Sequence, residues 1–344
     1  MYTFSIFATF LLALLTVGGW YAQYVSPASS ALFPLLGLVL PGLLVLNVLA
    51  ILYWAVRWRY WVWVPLLAIV ANWDYLSSIY QFGHQTSAQG EILRVATYNI
   101  DSFGNDNSGT TCRQVAQVMR DQQADIICFQ EFRASREFPM DSILSVFDEW
   151  PYCAVPYSRE PLLQLVILSR YPIADSQLIK YKQTANCSMW CDIAIGTDTI
   201  RVFNNHLQTT NVSQNKRKLE KELATDNRRN YTHALTRLFT ALQDNFILRA
   251  QQTDTVKELV AHSPHPVILC GDLNSPPSSY TYRTLRKAGL RDGFHTAGKG
   301  YMYTFRYLKK YYASITSSIP IGSRESTTTR PIWNTAITIR YVWR

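Results

Sequence analysis

The two ends of this chain are written for different solvents. From Met1 to Gly90 the only formally charged residues are Arg57, Arg59 and Asp74, and nearly all the remaining charge lies beyond that point. A stretch that poor in charge cannot be covered by water without a large exposed apolar surface, so a lipid phase or a deep core has to take it. The segment from Tyr2 to Tyr21 is long enough to cross a bilayer, and so is the one from Ala31 to Val56. A third, Trp61 to Trp73, is shorter and spans only if it continues toward Tyr80, with Tyr and Trp at its ends suiting the interfacial belt. A cleaved signal peptide fits the first segment poorly, because no basic residue precedes the apolar run and two further apolar stretches follow.

Arg57 and Arg59 fall in the loop between the second and third segments, which the positive-inside rule places in the cytoplasm. Three spans then put the rest of the chain on the far side, the periplasmic face of a bacterial inner membrane. The chain thus divides into a membrane region at 1–82, a linker at 83–91, a soluble domain at 92–308 and a tail at 309–344 of different character. The formal charge is +9 overall, of which residues 1–90 contribute +1 (two Arg less one Asp). The excess favours an anionic partner only weakly. Six scattered cysteines form no pair of C-x-x-C motifs, which argues against a zinc site. Cys187 and Cys191 are close enough in sequence to suggest a bridge in an oxidising compartment, with nothing but proximity in its favour.

Beyond the linker, short β-rich runs alternate with helical stretches. ILRVATYNI, ADIICFQEF, LQLVILSRYPIA, DIAIGTDTIRVFNNHLQ and HPVILCGDLNS read as buried strands that end in polar residues. TCRQVAQVMRDQQ reads as an amphipathic helix, and the region from Asn215 to His262 as one or two long basic helices. The strand ends carry the chemistry. Hydrolysis of a phosphate ester needs neutralisation of the non-bridging oxygens and a placed water, and hard cations held by oxygen ligands supply both. Asn99 ends the first of these strands and Glu131 follows the second, while His206 ends a later strand and Asp272 and Asn274 close another, two residues apart in the strand period. Singly, each is a common turn former or solvated side chain; together they make a site.

The set TYN, QE, NHL and GDLNSPP, in this order and at these intervals, resembles the endonuclease/exonuclease/phosphatase family over about residues 92–308, with VILSRYPI and GLRDGF as supporting matches. The resemblance implies an α/β fold, a four-layer sandwich of two mixed β-sheets flanked by helices, with the site at one edge. It implies Glu131 as the principal Mg²⁺ or Mn²⁺ ligand with Asn99 beside it. His206 would donate to phosphate oxygens, Asp272 would orient or deprotonate the attacking water, and Asn274 would position the scissile phosphate. The substrate would be a phosphate ester, whether nucleic acid, phospholipid or sugar phosphate, with the protein integral to the membrane. A non-catalytic alternative uses the acidic cleft, or the basic run from Lys216 to Arg229, to bind phospholipid or another polyanion.

The resemblance stops short of the C-terminus. Family members continue with an Arg-Ile-Asp-Tyr-Ile strand, whose Asp supports a catalytic histidine, and finish with Ser-Asp-His-Asn-Pro. Neither motif is present, and no Asp or His occurs from Phe305 onward. The tail is rich in Ser, Thr and Arg and shows no clean buried strand, which would leave a sheet edge uncovered and activity doubtful. A frame offset reconciles this. If the third base of each codon is read with the first two of the next, synonymous codons let Tyr312 to Ile319 spell Arg-Ile-Asp-Tyr-Ile-Phe-His, and Thr335 to Arg340 spell Ser-Asp-His-Asn-Pro. A frameshift between Lys309 and Tyr312 would account for both losses.

Overall fold

The computed structural model describes residues 2–83, 91–155, 164–210, 228–302, 317–320, 326–329 and 337–343. They form two units: Met1–Trp73 with Gln208–Thr255 and Ser278–Arg283, and Asp74–Leu207 with Val256–Pro277 and Thr284–Arg344.

The first unit is built on apolar helices α1 (Tyr2–Tyr21), α2 (Leu32–Val56) and α3 (Trp63–Ala71). The first two are long and apolar enough to cross a membrane. At 1.5 Å per residue, α1 alone is about 30 Å long, the thickness of a hydrocarbon core. Glycines let α1 and α2 approach: a Cβ on Gly19 would lie 2.9 Å from Leu40 Cδ1 and 3.1 Å from Leu36 O. Polar side chains join the helices inside the bundle, where Asn47 Nδ2 donates to Thr16 Oγ1 (2.7 Å) and Trp54 Nε1 to Thr9 Oγ1 (2.9 Å). Aromatic rings gather at both ends, with Tyr2, Trp54 and Trp61 at one and Trp20, Tyr21, Tyr24 and Phe33 at the other, as interfacial belts require. In the same unit Ser278 Oγ donates to Gly37 O (2.8 Å) and the Arg283 guanidinium lies 3.8 Å from the centroid of the Tyr24 ring. A long helix, α7 (Arg228–Ala261), covers most of the region read as basic helix, while 216–227 lie outside the described residues.

The third apolar segment is broken. The stretch Tyr60–Ala71 meets α4 (Trp73–Ile79) at a bend of 58°. Asn72 sits at the break and returns its side-chain Nδ2 to Ala68 O (2.9 Å), a back-bond that competes with the helix ladder. Residues 74–82, read from sequence as the end of the membrane region, belong to the second unit.

That second unit carries two six-stranded mixed sheets. Numbering strands along the chain, the first sheet runs β13 (Ser326–Thr329), β14 (Ile337–Trp343), β2 (Glu91–Asn99), β3 (Ile126–Gln130), β5 (Val166–Ser169), β4 (Tyr152–Ala154). The second runs β10 (Leu290–Arg291), β12 (Ser317–Pro320), β9 (Val267–Asp272), β8 (Asp198–His206), β7 (Cys187–Ile195), β6 (Ile173–Lys180). A separate ribbon pairs β1 (Tyr80–Phe82) with β11 (Lys299–Tyr301). Helices α5 (Thr110–Asp121) and α6 (Met140–Val146) cover the outer face of the first sheet. The period of two decides which side chains go where. Val95, Ile126, Cys128 and Ile167 meet Cys191, Val202, Ile268 and Cys270 between the sheets, while Ala96, Ile127, Phe129 and Val166 pack outward on Cys112, Met119, Phe147 and Trp150.

The same period carries the inner face from apolar to polar as the strands approach one end. After Leu93 and Val95 comes Thr97, after Ile126 and Cys128 comes Gln130, and after Ile200 and Val202 comes Asn204. These three polar residues are buried as one layer. Gln130 Nε2 donates to Asn204 Oδ1 (2.7 Å) and Thr97 Oγ1 (3.0 Å), and Asn204 Nδ2 donates to Phe129 O (2.9 Å) and Val166 O (3.1 Å). One sheet is thereby registered against the other.

The tail differs from its sequence reading. It contributes three strands, two of which complete the sheets: β12 pairs antiparallel with β9 (Ser317 opposite Cys270), and β14 pairs antiparallel with β2 from Ile337 opposite Thr97 to Trp343 opposite Glu91. The Ser, Thr and Arg content hid them because the buried-run criterion looks for apolar residues, whereas backbone pairing is open to any sequence without proline in mid-strand. Cys187 and Cys191 share one face of β7, separated by four residues, or about 13 Å of strand, too far for a disulfide. Burial pushes both thiols up to about 12, so they stay protonated and inert at neutral pH.

Gly271 shows how tightly the centre is built. It pairs with Asn205 across the parallel β8/β9 junction, and a Cβ there would collide with Asn205 O, on a backbone with φ +125°. Gly271→Ala should cost more than about 3 kcal/mol in chemical unfolding of the full chain, from overpacking and backbone strain together. Gly196→Ala, with open space around its Cβ and φ +60°, should cost about 1 kcal/mol. Equal losses would contradict this packing. A double-mutant cycle on Gln130→Ala and Asn204→Ala should show a coupling of about 1–2 kcal/mol, and additive losses would show that the inter-sheet bond is not formed.

Candidate active site

One or two residues beyond the Thr97–Gln130–Asn204 layer, the same strands end and present a cluster. Asn99 is the last residue of β2. Its Oδ1 accepts the backbone N–H of Asp101 (3.1 Å), which fixes the amide so that Nδ2 faces across the sheets. That single NH₂ group donates to Glu131 Oε1 (2.9 Å) and to Asp272 Oδ2 (3.2 Å). Two carboxylates, one from each sheet, therefore converge on one amide.

Glu131 owes its direction to strained backbone. It follows β3 with φ +52°, in the left-handed region, and its carbonyl accepts Ser102 N–H (2.9 Å). A glutamate held there costs about 1–3 kcal/mol, a strain typical of functional positions. His206, the last residue of β8, stands opposite Asp272 in register. Its Nε2 lies 3.5 Å from Glu131 Oε1, and the imidazole is 2% exposed against 29% for Glu131. His206 thus sits behind the glutamate rather than at the surface of the cleft. Its Nδ1 is buried and has no hydrogen-bond partner among the described residues.

Asp272 closes β9, and its Oδ1 accepts Asn274 N–H (2.9 Å). Asn274 lies beyond the strand at φ +49°, a conformation that Asn tolerates better than most residues, and its Nδ2 donates to Leu207 O (3.0 Å). The strand-period argument for Asp272 and Asn274 is corrected accordingly: a turn bonded to the Asp272 carboxylate, not an extended strand, sets their relation. All five residues singled out by sequence lie in this neighbourhood, linked by the contacts given above.

A cavity of about 280 Å³ adjoins this end of the first sheet, lined among others by Ser102, Phe103, Asp106, Arg133, Arg136 and Phe138. Its Asp106 carboxylate accepts from the Ser108 hydroxyl and from the Ser108 and Thr111 backbone amides, which hold it well below the usual carboxylate range and therefore charged.

The donor set suits a hard cation of low demand. Mg²⁺ is usually held by one or two carboxylates and keeps several waters, so Glu131 and Asp272 with one amide oxygen are sufficient. A cation between the carboxylates would favour the turned amide of Asn99, Oδ1 inward. Among the described residues no group of three or more His, Cys, Asp or Glu is placed to hold a metal by itself. Sequence reasoning missed Thr97, Gln130 and Asn204, which do not face the cleft but fix the two strand ends that do. The signal was available, since each is a polar residue on the inward phase of an apolar alternation.

Residues 96–344 match the Endonuclease/Exonuclease/phosphatase family, and residues 2–79 match a domain of unknown function (DUF8431). No curated protein matches the chain. Among solved structures, truncated Caenorhabditis elegans TDP2 is similar at 15% identity and TM-score 0.48, covering 75% of this chain and 100% of its own. An endonuclease/exonuclease/phosphatase from Beutenbergia cavernae DSM 12333 is similar at 13% identity and TM-score 0.49, covering 73% and 70%. Beta toxin 275-280 from Staphylococcus aureus is similar at 14% identity and TM-score 0.47, covering 73% and 100%. With the family matching from the β2 strand to the last residue, the chain belongs to the endonuclease/exonuclease/phosphatase family.

Proposed function

We propose that this chain is a membrane-anchored, Mg²⁺- or Mn²⁺-dependent phosphoester hydrolase whose turnover is limited by the loss of its C-terminal acid–base groups. The observation that carries the reading is the convergence of Glu131 and Asp272, from different sheets, on the single amide of Asn99. Two carboxylates sharing one neutral donor hold more negative charge than their surroundings neutralise, which favours a cation between them.

Glu131 and Asp272, with Asn99, would hold the ion, and when bound it neutralises charge on the phosphate oxygens. His206 keeps Glu131 in place through Nε2; its burial supports this positioning role over direct donation to substrate. Asp272 is also the base or water-orienting group, with Asn274 beside it to meet the phosphate. No Asp or His in the tail supplies the second proton-transfer pair.

The frame reading gains support from the backbone pairing. The codons at which the offset frame spells Asp-His span Ala336 to Thr338, and Ile337 stands opposite Thr97, two residues from Asn99 on β2. A chain read through in that frame would bring its Asp-His to the strand end that carries the site.

Anchoring is supported by the two long apolar helices and their aromatic ends. With Arg57 and Arg59 on the cytoplasmic side, a third crossing by the bent pair places the family domain in the periplasm of a bacterium, and two crossings would leave it in the cytoplasm.

The enzyme proposal is tested by hydrolysis of bis(p-nitrophenyl) phosphate with Mg²⁺ in detergent. A version read through in the offset frame should be at least about 10²-fold faster than the present chain, since general acid–base catalysis is worth that much. Glu131→Gln and Asp272→Asn in the read-through version should remove the gain. If the gene does not encode the two motifs in that frame, or read-through leaves the rate unchanged, the frameshift is excluded. For topology, an export-dependent reporter fused after Gln89 should be active, and activity only of a cytoplasm-dependent reporter would reverse the assignment.

A further inference from the structure

The ribbon that follows the broken apolar segment presents exposed aromatic rings on one face. In β1, Tyr80 and Phe82 are 47% and 82% exposed, with ring centroids 5.1 Å apart. Register places Tyr80 opposite Tyr301 and Phe82 opposite Lys299, and directly opposed residues of an antiparallel pair share a face. One side of the ribbon therefore collects three aromatic rings and an exposed lysine, and Gln81 and Gly300 take the other.

The ribbon is tied to the second unit at its base. Met302 N–H donates to Ile79 O (2.8 Å), Ile79 packs against the inter-sheet core, Tyr75 and Ser78 of α4 are buried, and Ser77 Oγ is 3.3 Å from His295 Nε2. A soluble unit with Phe82 in water leaves a large apolar ring exposed at a cost it could avoid. Tyrosine, phenylalanine and lysine are the residues that suit a bilayer interface, where rings lie among head groups and an ammonium meets lipid phosphate. The ribbon also starts at the residue after α4, which continues the apolar stretch Tyr60–Ala71 across the bend.

We infer that the aromatic face of the β1/β11 ribbon is an interfacial anchor, lying in the head-group region of the bilayer and steadying the second unit at the membrane surface. The inference rests on the reading that the apolar helices are inserted in a membrane. Its occupant is the lipid interface itself, with Lys299 favouring anionic head groups.

The test uses the full chain in vesicles of phosphatidylcholine and phosphatidylglycerol. Cys153→Ser removes the one exposed cysteine, the other five being buried. A nitroxide is then placed by Phe82→Cys, or by Lys182→Cys on an exposed turn as an aqueous reference. Power saturation compares collisions with oxygen, which partitions into lipid, and with a water-soluble nickel chelate. The oxygen-to-nickel ratio at 82 should exceed that at 182 by about 5-fold or more, as for a group buried several ångströms into the interface. Ratios that agree within experimental error, in protein that resists extraction by alkaline carbonate, overturn the anchor while leaving insertion intact. Extraction of the protein by carbonate overturns insertion and the anchor with it. Tyr80→Ser with Phe82→Ser, read by a label at Lys299→Cys, should lower the ratio at 299, and an unchanged ratio would show that the rings do not hold the ribbon in lipid.

Discussion

The site depends on a small set of buried hydrogen bonds between sheets, from Gln130 Nε2 to Asn204 Oδ1 and from Asn204 Nδ2 to Phe129 O and Val166 O. Two sheets that pack only through Val, Ile, Leu and Cys side chains can slide, because apolar contact is nondirectional. A site split between those sheets tolerates little sliding: Asn99 and Glu131 come from one, His206 and Asp272 from the other. Polar groups without water accept only a narrow range of geometries, since a lost bond costs the full desolvation of both partners. The layer formed by Thr97, Gln130 and Asn204 thus acts as a register stop one or two residues short of the cluster, and the convergence of the carboxylates on Asn99 follows from it.

How much of this could be read in advance depended on the type of information each feature uses. The strands, their polar ends and the residues Asn99, Glu131, His206 and Asp272 were legible because alternation and strand termination are local. The position of His206 behind Glu131 was not, because its burial is set by β8 pairing with β9 and by the opposite sheet. The turn at Asn274 was misread as strand because a left-handed Asn after GDL looks the same in sequence as one more extended residue. The tail strands were invisible to any criterion based on apolar runs, since their place is set by unpaired edges of β9 and β2. In the apolar N-terminal region the helix lengths were clear, but the bend at Asn72 needed its side chain to be seen returning to Ala68.

The tail gives the chain an unusual balance. Its strands pair with β9 and β2 and complete the sheets, yet no Asp or His occurs from Phe305 onward. Under the proposed function, structure and chemistry come apart here: backbone pairing accepts the tail's sequence, whereas acid–base catalysis would not. On that proposal the remaining carboxylates would still favour a cation, and cation binding is expected to outlast catalysis.

Titration of the full chain in detergent with Mn²⁺, followed by electron paramagnetic resonance, measures that property without relying on turnover. The account predicts loss of the free Mn²⁺ signal on binding, recovery of the signal on adding Mg²⁺, and no binding by chains carrying Glu131→Gln or Asp272→Asn, while Asp175→Asn on the exposed edge strand leaves it unchanged. Binding that survives both site substitutions, or no binding by the parent chain, would contradict the assignment of this strand-end cluster as a metal-dependent phosphoester site.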